Sequence, residues 1–287
     1  MSAALLEGKT IAAKIKEDLA KEVGRFKSKY NAVPTLANIQ VGENSASAVY
    51  LKSQMRVAEK LGIEFQLHNL KEDSTQEDLI KYIDKLNDDQ KVNGILVQMP
   101  LPKQMNPKDI PRHISPLKDV EGMHPENLGE VLSGKARIAP CTAMAAFELI
   151  RSTNIDLRGK EAVVVGHSEI VGKPVSLLLL DKFATVTTCH IGTGERGLLS
   201  DHVKRAEILV VAVGKAGLIK GEWIKKGAVV VDVGINRVGD KLVGDVEFDE
   251  ASKRAAYITP VPGGVGPLTV TMLMRNVVEA FKAQKGA

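Results

Sequence analysis

Aromatic residues make up only 4% of this 287-residue chain, with a single Trp, so stacking platforms for single-stranded nucleic acid are not expected. Cysteine is scarcer still. Cys141 and Cys189 stand far apart and outside any C-x-x-C pattern, which argues against a disulfide framework or a zinc site and makes a reducing compartment the default. The six histidines lack H-E-x-x-H or similar spacing, so no metal is expected, and His124 and His190 read as ordinary polar residues. No apolar run approaches membrane-spanning length; the best, AVVVG and ILVVAVG, are strand-sized. The opening MSAALLEGKTIAAKIKEDLAKEV mixes apolar and charged residues too closely for a signal sequence, and a cytoplasmic protein is expected. A long basic tract is missing too. The formal charge of +4 is spread along the chain, and clusters such as Lys14, Lys16, Glu17, Asp18, Lys21 and Glu22 read as a solvated helix face, against nucleic-acid binding. A mild positive balance still suits an anionic substrate or cofactor.

What the chain does have is a well-cored composition, 44% hydrophobic and 26% charged, and length enough for one large domain or two ordinary ones. Helical and strand-like periods alternate almost throughout. Ile11, Ile15, Leu19 and Val23 recur every four residues in an opening helix that ends near Tyr30. LANIQVG then reads as a short strand stopped at Gly42. Ser45 to Leu61 reads as a helix, with Ser45 as N-cap and Gly62 at its end. Strand Ile63–Leu67, helix Gln76–Leu86 and strand Gly94–Gln98 follow; MPLP must be loop, because Pro100 and Pro102 exclude helix and central strand. The rhythm restarts after Cys141 with strands EAVVVG, Thr185–Thr188, ILVVAVG and AVVVDVG, and closes on a helix with Pro267 near its first turn. Short apolar strands alternating with helices predict an α/β fold of two domains with parallel sheets. The expected division is an N-terminal domain over 1–145 and a dinucleotide-binding domain over 146–267, with the last helix, 268–287, packing back on the first.

Two glycine-rich segments carry chemistry. VVVGHSEIVGKPV, residues 163–175, is a strand, then Gly166, Ser168 and Gly172, then a helix. Small residues there let backbone amides approach a pyrophosphate, and the helix start favours its charge. It departs from G-x-G-x-x-G, since Ser168 replaces the middle glycine and the last comes one residue late, so a tight turn that binds nothing is the competing reading. PVPGGVGPLTV, residues 260–270, is either a ligand-facing loop or a helix entry set by packing alone. Tyr50 in the second helix, Gln98 at a strand end and Glu121 in LKDVEGMHP form a third, polar set, individually weak but placed where α/β sheets assemble sites.

Read in order, VGENSASAVY, GILVQMPLP, LKDVEGMHP, GHSEIVGKP, VVDVGIN, VGDV and YITPVPGGVGPLTV resemble the bifunctional methylenetetrahydrofolate dehydrogenase/methenyltetrahydrofolate cyclohydrolase family, over essentially the whole chain. The resemblance implies an N-terminal α/β domain, a C-terminal Rossmann-type domain, a cleft between them and a homodimer. It implies Tyr50 and Gln98 at a folate substrate, Gly166, His167, Ser168, Ile191 and Ile235 at a dinucleotide, and Pro262 with Gly263 on the substrate side.

Four departures from the family pattern matter. The usual Tyr-x-x-x-Lys reads Tyr50-Leu51-Lys52-Ser53-Gln54, and Lys52, two residues along the helix, faces elsewhere. Asp-Val-Asp-Gly reads Asp119-Val120-Glu121-Gly122, and Pro-Cys-Thr-Pro reads Pro140-Cys141-Thr142-Ala143. The cofactor turn, often Gly-Arg-Ser, has His167, and Ile191 stands where a Ser or Arg often assists. Hydride loss from methylenetetrahydrofolate needs positioning and no formal base, but opening the methenyl ring needs proton movement. A glutamine amide has no useful pKa, so the cyclohydrolase is expected to be weak or absent, by about 10²–10⁴-fold. The extra methylene of Glu121 moves its carboxylate by about 1.5 Å, unless Gln54 and Glu121 compensate each other. A fully bifunctional enzyme and a non-catalytic folate- or dinucleotide-binding paralogue are the alternatives. NADP is expected on the family's pattern, with NAD close behind: His167 supplies partial charge, Arg196 could reach in, and no acidic residue ends the Thr185–Thr188 strand.

Overall fold

A computed structural model describes residues 2–42 and 45–286. In chain order the first half holds β1 (Ala4–Leu5), α1 (Gly8–Tyr30), β2 (Thr35–Val41), α2 (Ser45–Leu61), β3 (Glu64–Leu70), α3 (Gln76–Asp88), β4 (Gly94–Val97) and α4 (Pro125–Leu132). There follow α5 (Cys141–Arg151), β5 (Glu161–Val165), α6 (Gly172–Leu180), β6 (Thr185–Cys189), α7 (Ile191–Glu195), α8 (Leu199–Arg205), β7 (Ile208–Val211) and β8 (Val229–Asp232). The chain closes with β9 (Asn236–Val238), β10 (Lys241–Val243), α9 (Phe248–Ala251), β11 (Tyr257–Ile258) and α10 (Val265–Lys285). The side chain of Ser45, the expected cap of α2, lies outside the described residues.

The chain forms two compact units, one of residues 14–139 with 270–287, the other of residues 1–13 with 140–269. The split falls at Pro140 rather than after 145, and the opening residues belong to the later unit, a difference from the expected division with a simple cause. β1 is two residues long, too short to show a period, yet it pairs in parallel with β11 at the sheet edge.

The N-terminal unit carries a three-stranded parallel sheet in the order β3-β2-β4. Because strand side chains alternate, Ala37, Ile39 and Val41 with Ile95 and Val97 form one face and pack on Leu79, Ile83 and Leu86 of α3. Leu36, Asn38, Leu96 and Gln98 therefore fall to the other face. From Val270 onward α10 belongs to this unit, where Phe281 lies 4.9 Å from the ring of Phe26. The C-terminal unit is a six-stranded parallel sheet, β1-β11-β8-β7-β5-β6, over a core that includes Val163, Leu209, Val211 and Val230. The fold is thus α/β with parallel sheets in both units.

Candidate active site

In the N-terminal unit α2 buries Leu51, Gln54, Val57, Ala58 and Leu61, a stripe at helical spacing in which Gln54 is the polar member. Lys52 and Ser53 are exposed, so Lys52 does not share the inward face. Gln54 is fully buried, and its Oε1 accepts two hydrogen bonds, from Asn38 Nδ2 at 3.0 Å and from Gln98 Nε2 at 2.7 Å. Asn38 comes from the middle of β2 and Gln98 from the end of β4, where its backbone N–H donates to Ile39 O at 2.8 Å. Gln54 Nε2 and Asn38 Oδ1 are buried without a hydrogen-bond partner among the described residues. A buried amide left unpaired costs about 1–3 kcal/mol, so the cluster suits a polar ligand that supplies the missing partner. Tyr50, one helical turn before Gln54, is the exposed member of the set.

Glu121 is brought to the same sheet by a short parallel bridge between Ile95 and Asp119, with Ile95 N–H donating to Lys118 O at 2.7 Å. Gly94 permits this approach, since a Cβ there would collide with Val120. The buried Asp119 carboxylate accepts from Gly122 N, His124 N and Asn127 Nδ2 at 3.1, 2.7 and 2.9 Å. Glu121 keeps some exposed surface, yet burial of its carboxyl, reinforced by the Asp119 charge beside it, pushes its pKa up to about 8. It is the one group of the set able to exchange a proton near neutral pH.

In the C-terminal unit the 163–175 segment turns as a strand–glycine–helix unit. Gly166 has φ +119°, and a Cβ there would run into Ala212 O as the chain leaves β7. A Cβ on Gly172 would strike Gly166 O, so the start of α6 lies directly against the end of β5. Ser168 Oγ accepts from Val171 N at 3.2 Å and closes the turn. Around it stands an exposed aliphatic crown at the carboxyl ends of the strands: Ile170 after β5 (50% exposed), Ile191 after β6 (78%), Val213 after β7 (37%) and Ile235 after β8 (61%). Parallel sheets bind ligands at this edge, and four aliphatic side chains left in water there suit a ligand with flat rings. Pro262 and Gly263 follow β11 at the same ends; Pro262 is exposed, its peptide bond with Val261 is cis, and Gly263 O accepts from Gly8 N at 3.0 Å. The glycine cradle and the crown together fit a dinucleotide.

The model of the tetrahydrofolate dehydrogenase/cyclohydrolase catalytic domain matches residues 6–121, and that of the NAD(P)-binding domain of the same enzymes matches residues 140–285. The chain belongs to this family. It is 50% identical over 279 residues, 97% of this chain and 96% of the other, to the bifunctional protein FolD 2 of Geobacter metallireducens. Its structure is similar to the crystal structure of the bifunctional FolD of Campylobacter jejuni, with 44% identity, a TM-score of 0.94 and coverage of 98% and 99%. The Trypanosoma brucei enzyme complexed with NADP and an inhibitor is 38% identical with a TM-score of 0.95, and each chain is covered completely. Membership makes the protein a folate-dependent dehydrogenase with an NAD(P)-binding domain. The expectation of a weak or absent cyclohydrolase finds no support among these relatives, which are called bifunctional; they favour the alternative of both activities.

Family membership does not explain every polar residue of the site. Asn38 went unread because an Asn in LANIQVG looks like a break in an apolar run; the signal was the polar residue itself at an inward position. Lys118 serves structure: its Nζ donates to Leu86 O, Asn87 O and Asp89 O at 2.9, 2.7 and 2.8 Å and ties down the end of α3. Asp245, fully buried, accepts from the backbone N–H groups of Val213, Gly214 and Lys215 and from Asn236 Nδ2. Asp232 accepts from Gly234, Asp245 and Val246, and burial raises its pKa to about 6 against those hydrogen bonds. These two carboxylates hold the loops that carry Val213 and Ile235. Among the described residues no cluster able to hold a metal occurs, and no helix is long and apolar enough to cross a membrane.

Proposed function

We propose that the protein oxidises 5,10-methylenetetrahydrofolate to 5,10-methenyltetrahydrofolate with NADP, and then hydrolyses that product to 10-formyltetrahydrofolate. The observation that carries this reading is the likeness, along nearly the whole chain, to enzymes called bifunctional, together with a polar cluster and a dinucleotide cradle built from the chain's own residues. NADP is favoured by the Trypanosoma brucei structure, which carries that cofactor.

In the first step Tyr50, Gln98 and the free N–H group of Gln54 bind and orient the folate, while Gly166, His167, Ser168, Ile191 and Ile235 hold the dinucleotide and Pro262 with Gly263 face the substrate. The bound nicotinamide supplies a hydride acceptor. No base is needed, because the methenyl cation left behind is resonance-stabilised. Ring opening does need proton movement, and Glu121, with its pKa near 8, is the group that can hold and release a proton there.

A second reading, dehydrogenase alone, rests on Gln54: the position is filled by a neutral amide locked between two others. Product analysis separates the two. Purified protein is given methylenetetrahydrofolate with NADP or NAD and sampled before spontaneous hydrolysis matters. Rapid 10-formyltetrahydrofolate supports both activities; accumulating methenyltetrahydrofolate supports the dehydrogenase alone; tight folate binding without turnover would leave only a binding protein. A homodimer is part of the same proposal and is tested by light scattering, which should return twice the chain mass.

A further inference from the structure

Asp245 and Asp232 lie buried beneath the crown of the C-terminal sheet, with their oxygens occupied by the chain's own donors. As the chain leaves β7, Asp245 Oδ2 accepts from Val213 N at 2.7 Å and Gly214 N at 3.0 Å, and its Oδ1 accepts from Lys215 N at 2.8 Å. Oδ1 also accepts from Asn236 Nδ2 at 2.9 Å, at the start of β9. Successive N–H groups turned to one side form a concave anion site, and here a carboxylate of the same chain fills it. A Cβ on Gly234 would strike that carboxylate, so the loop after β8 packs directly on it.

Asp232, the last residue of β8, continues the run of bonds. Its Oδ1 accepts from Gly234 N at 2.9 Å and from the backbone N–H of Asp245 at 3.0 Å, and its Oδ2 accepts from Val246 N at 2.8 Å. Its own backbone N–H donates to Thr259 Oγ1 at 2.7 Å, and the Thr259 hydroxyl donates to Asp232 O at 3.3 Å. Thr259 is fully buried and leads directly into the next loop, where Gly264 N–H donates to Pro260 O at 2.9 Å. Hydrogen bonds thus run without a break from the loop after β7, through the loop after β8, to the loop after β11.

On the function proposed above, these loops carry different reactants. The pyrophosphate sits at the Gly166 turn after β5 and the adenosine ribose at the end of the second strand, β6, which leaves the β7 and β8 side for the ring that takes the hydride. Val213 and Ile235 stand exposed at those two strand ends, while Pro262 and Gly263 follow β11 on the folate side. We propose that Asp245, Asp232 and Thr259 are positioning residues for hydride transfer, a buried tether that sets the distance between nicotinamide and folate by fastening the β7 and β8 loops to the β11 loop. The tether rests on that proposed function. It touches neither reactant, and it matters because a misplacement of about 1 Å can cost about 10²-fold in rate.

The test makes two measurements on the full chain. One is the rate of hydride transfer in a single turnover with saturating methylenetetrahydrofolate and NADP. The other is calorimetric binding of adenosine 2′,5′-bisphosphate, a fragment without the nicotinamide half. Asp245→Asn turns an amide N–H group toward backbone N–H donors, and Thr259→Val keeps the side-chain shape but removes both of its hydrogen bonds. Both variants are expected to slow hydride transfer by about 10–10²-fold while binding the bisphosphate within about twofold of wild type. Unchanged fragment binding shows that the variants are folded, and saturation separates positioning from affinity. A wild-type rate in either variant overturns the tether, and Thr259→Val decides alone if Asp245→Asn does not fold. Parallel loss of fragment binding and hydride transfer overturns it too, by assigning these residues to stability of the unit. A wild type that binds the bisphosphate but transfers no hydride would instead remove the proposed function on which the tether rests.

Discussion

On the function proposed above, Gln54 and Glu121 take different tasks. Gln54 is neutral at every pH and held by Asn38 and Gln98, so it positions and does not titrate. Glu121 titrates close to neutrality. Glu121→Gln is therefore expected to slow methenyltetrahydrofolate hydrolysis by about 10²–10⁴-fold while the hydride step largely survives, measured as the two rates separately. Equal loss in both rates would assign Glu121 to substrate binding alone. The same group also links stability to pH. Its folded pKa lies above the ordinary 4.5, so between 4.5 and about 8 the native state keeps a proton that the unfolded chain has shed. Stability contributed by this group is thus fully present below that window and lost as pH rises through it, by a few kcal/mol at roughly 1.4 kcal/mol per pKa unit. Urea unfolding at several pH values should show the variant losing less stability than the wild type across this range.

At the scale of elements, the long periodic segments were legible because helix and strand spacing each leave a repeat: α1, α2, α3 and β5 to β8 follow it closely. Elements of two or three residues, β1, β9, β10 and β11, leave none and were invisible. The site was legible in part for a similar reason. Tyr50, Gln98 and the glycines stand in recognisable segments, whereas Asn38 gains meaning only through a neighbour on another element, Gln54. The same holds for Lys118, whose three carbonyl partners lie at the end of α3. Lys118→Met should destabilise the N-terminal unit by about 1–3 kcal/mol, read by thermal unfolding, because it removes three charge-assisted hydrogen bonds and leaves the buried carbonyl of Leu86 without that donor. Gly172→Ala brings a methyl group against Gly166 O. It is expected to abolish NADPH binding and to cost about 1–3 kcal/mol; an alanine variant that binds normally would mean the turn does not need to be so tight.

At the scale of the whole molecule, both units are made of segments distant in the chain. β1 sits at the edge of the C-terminal sheet, with Ala3, Ala4 and Leu6 donating to Ser252, Ala256 and Ile258 at 2.7, 2.8 and 2.8 Å. Deleting residues 1–7 should therefore lower the stability of the distant C-terminal unit, by about 3 kcal/mol for three lost hydrogen bonds. Calorimetry would detect that loss, and an unchanged transition would show that β1 contributes nothing to the sheet.

This interleaving also bears on how the protein is made. A ribosome adds about 5–20 residues per second, and domains usually fold in the order they emerge. Here β1 is made long before its partner β11, which lies beyond every other strand in the sequence. The N-terminal unit likewise waits for the tail of α10, whose Phe281 packs on Phe26 and whose Asn276 side chain donates to Val120 O and Ala139 O. The C-terminal unit cannot complete its sheet before β11 emerges, nor the N-terminal unit its core before α10 does, so an emerging chain carries two unfinished cores until those segments are made.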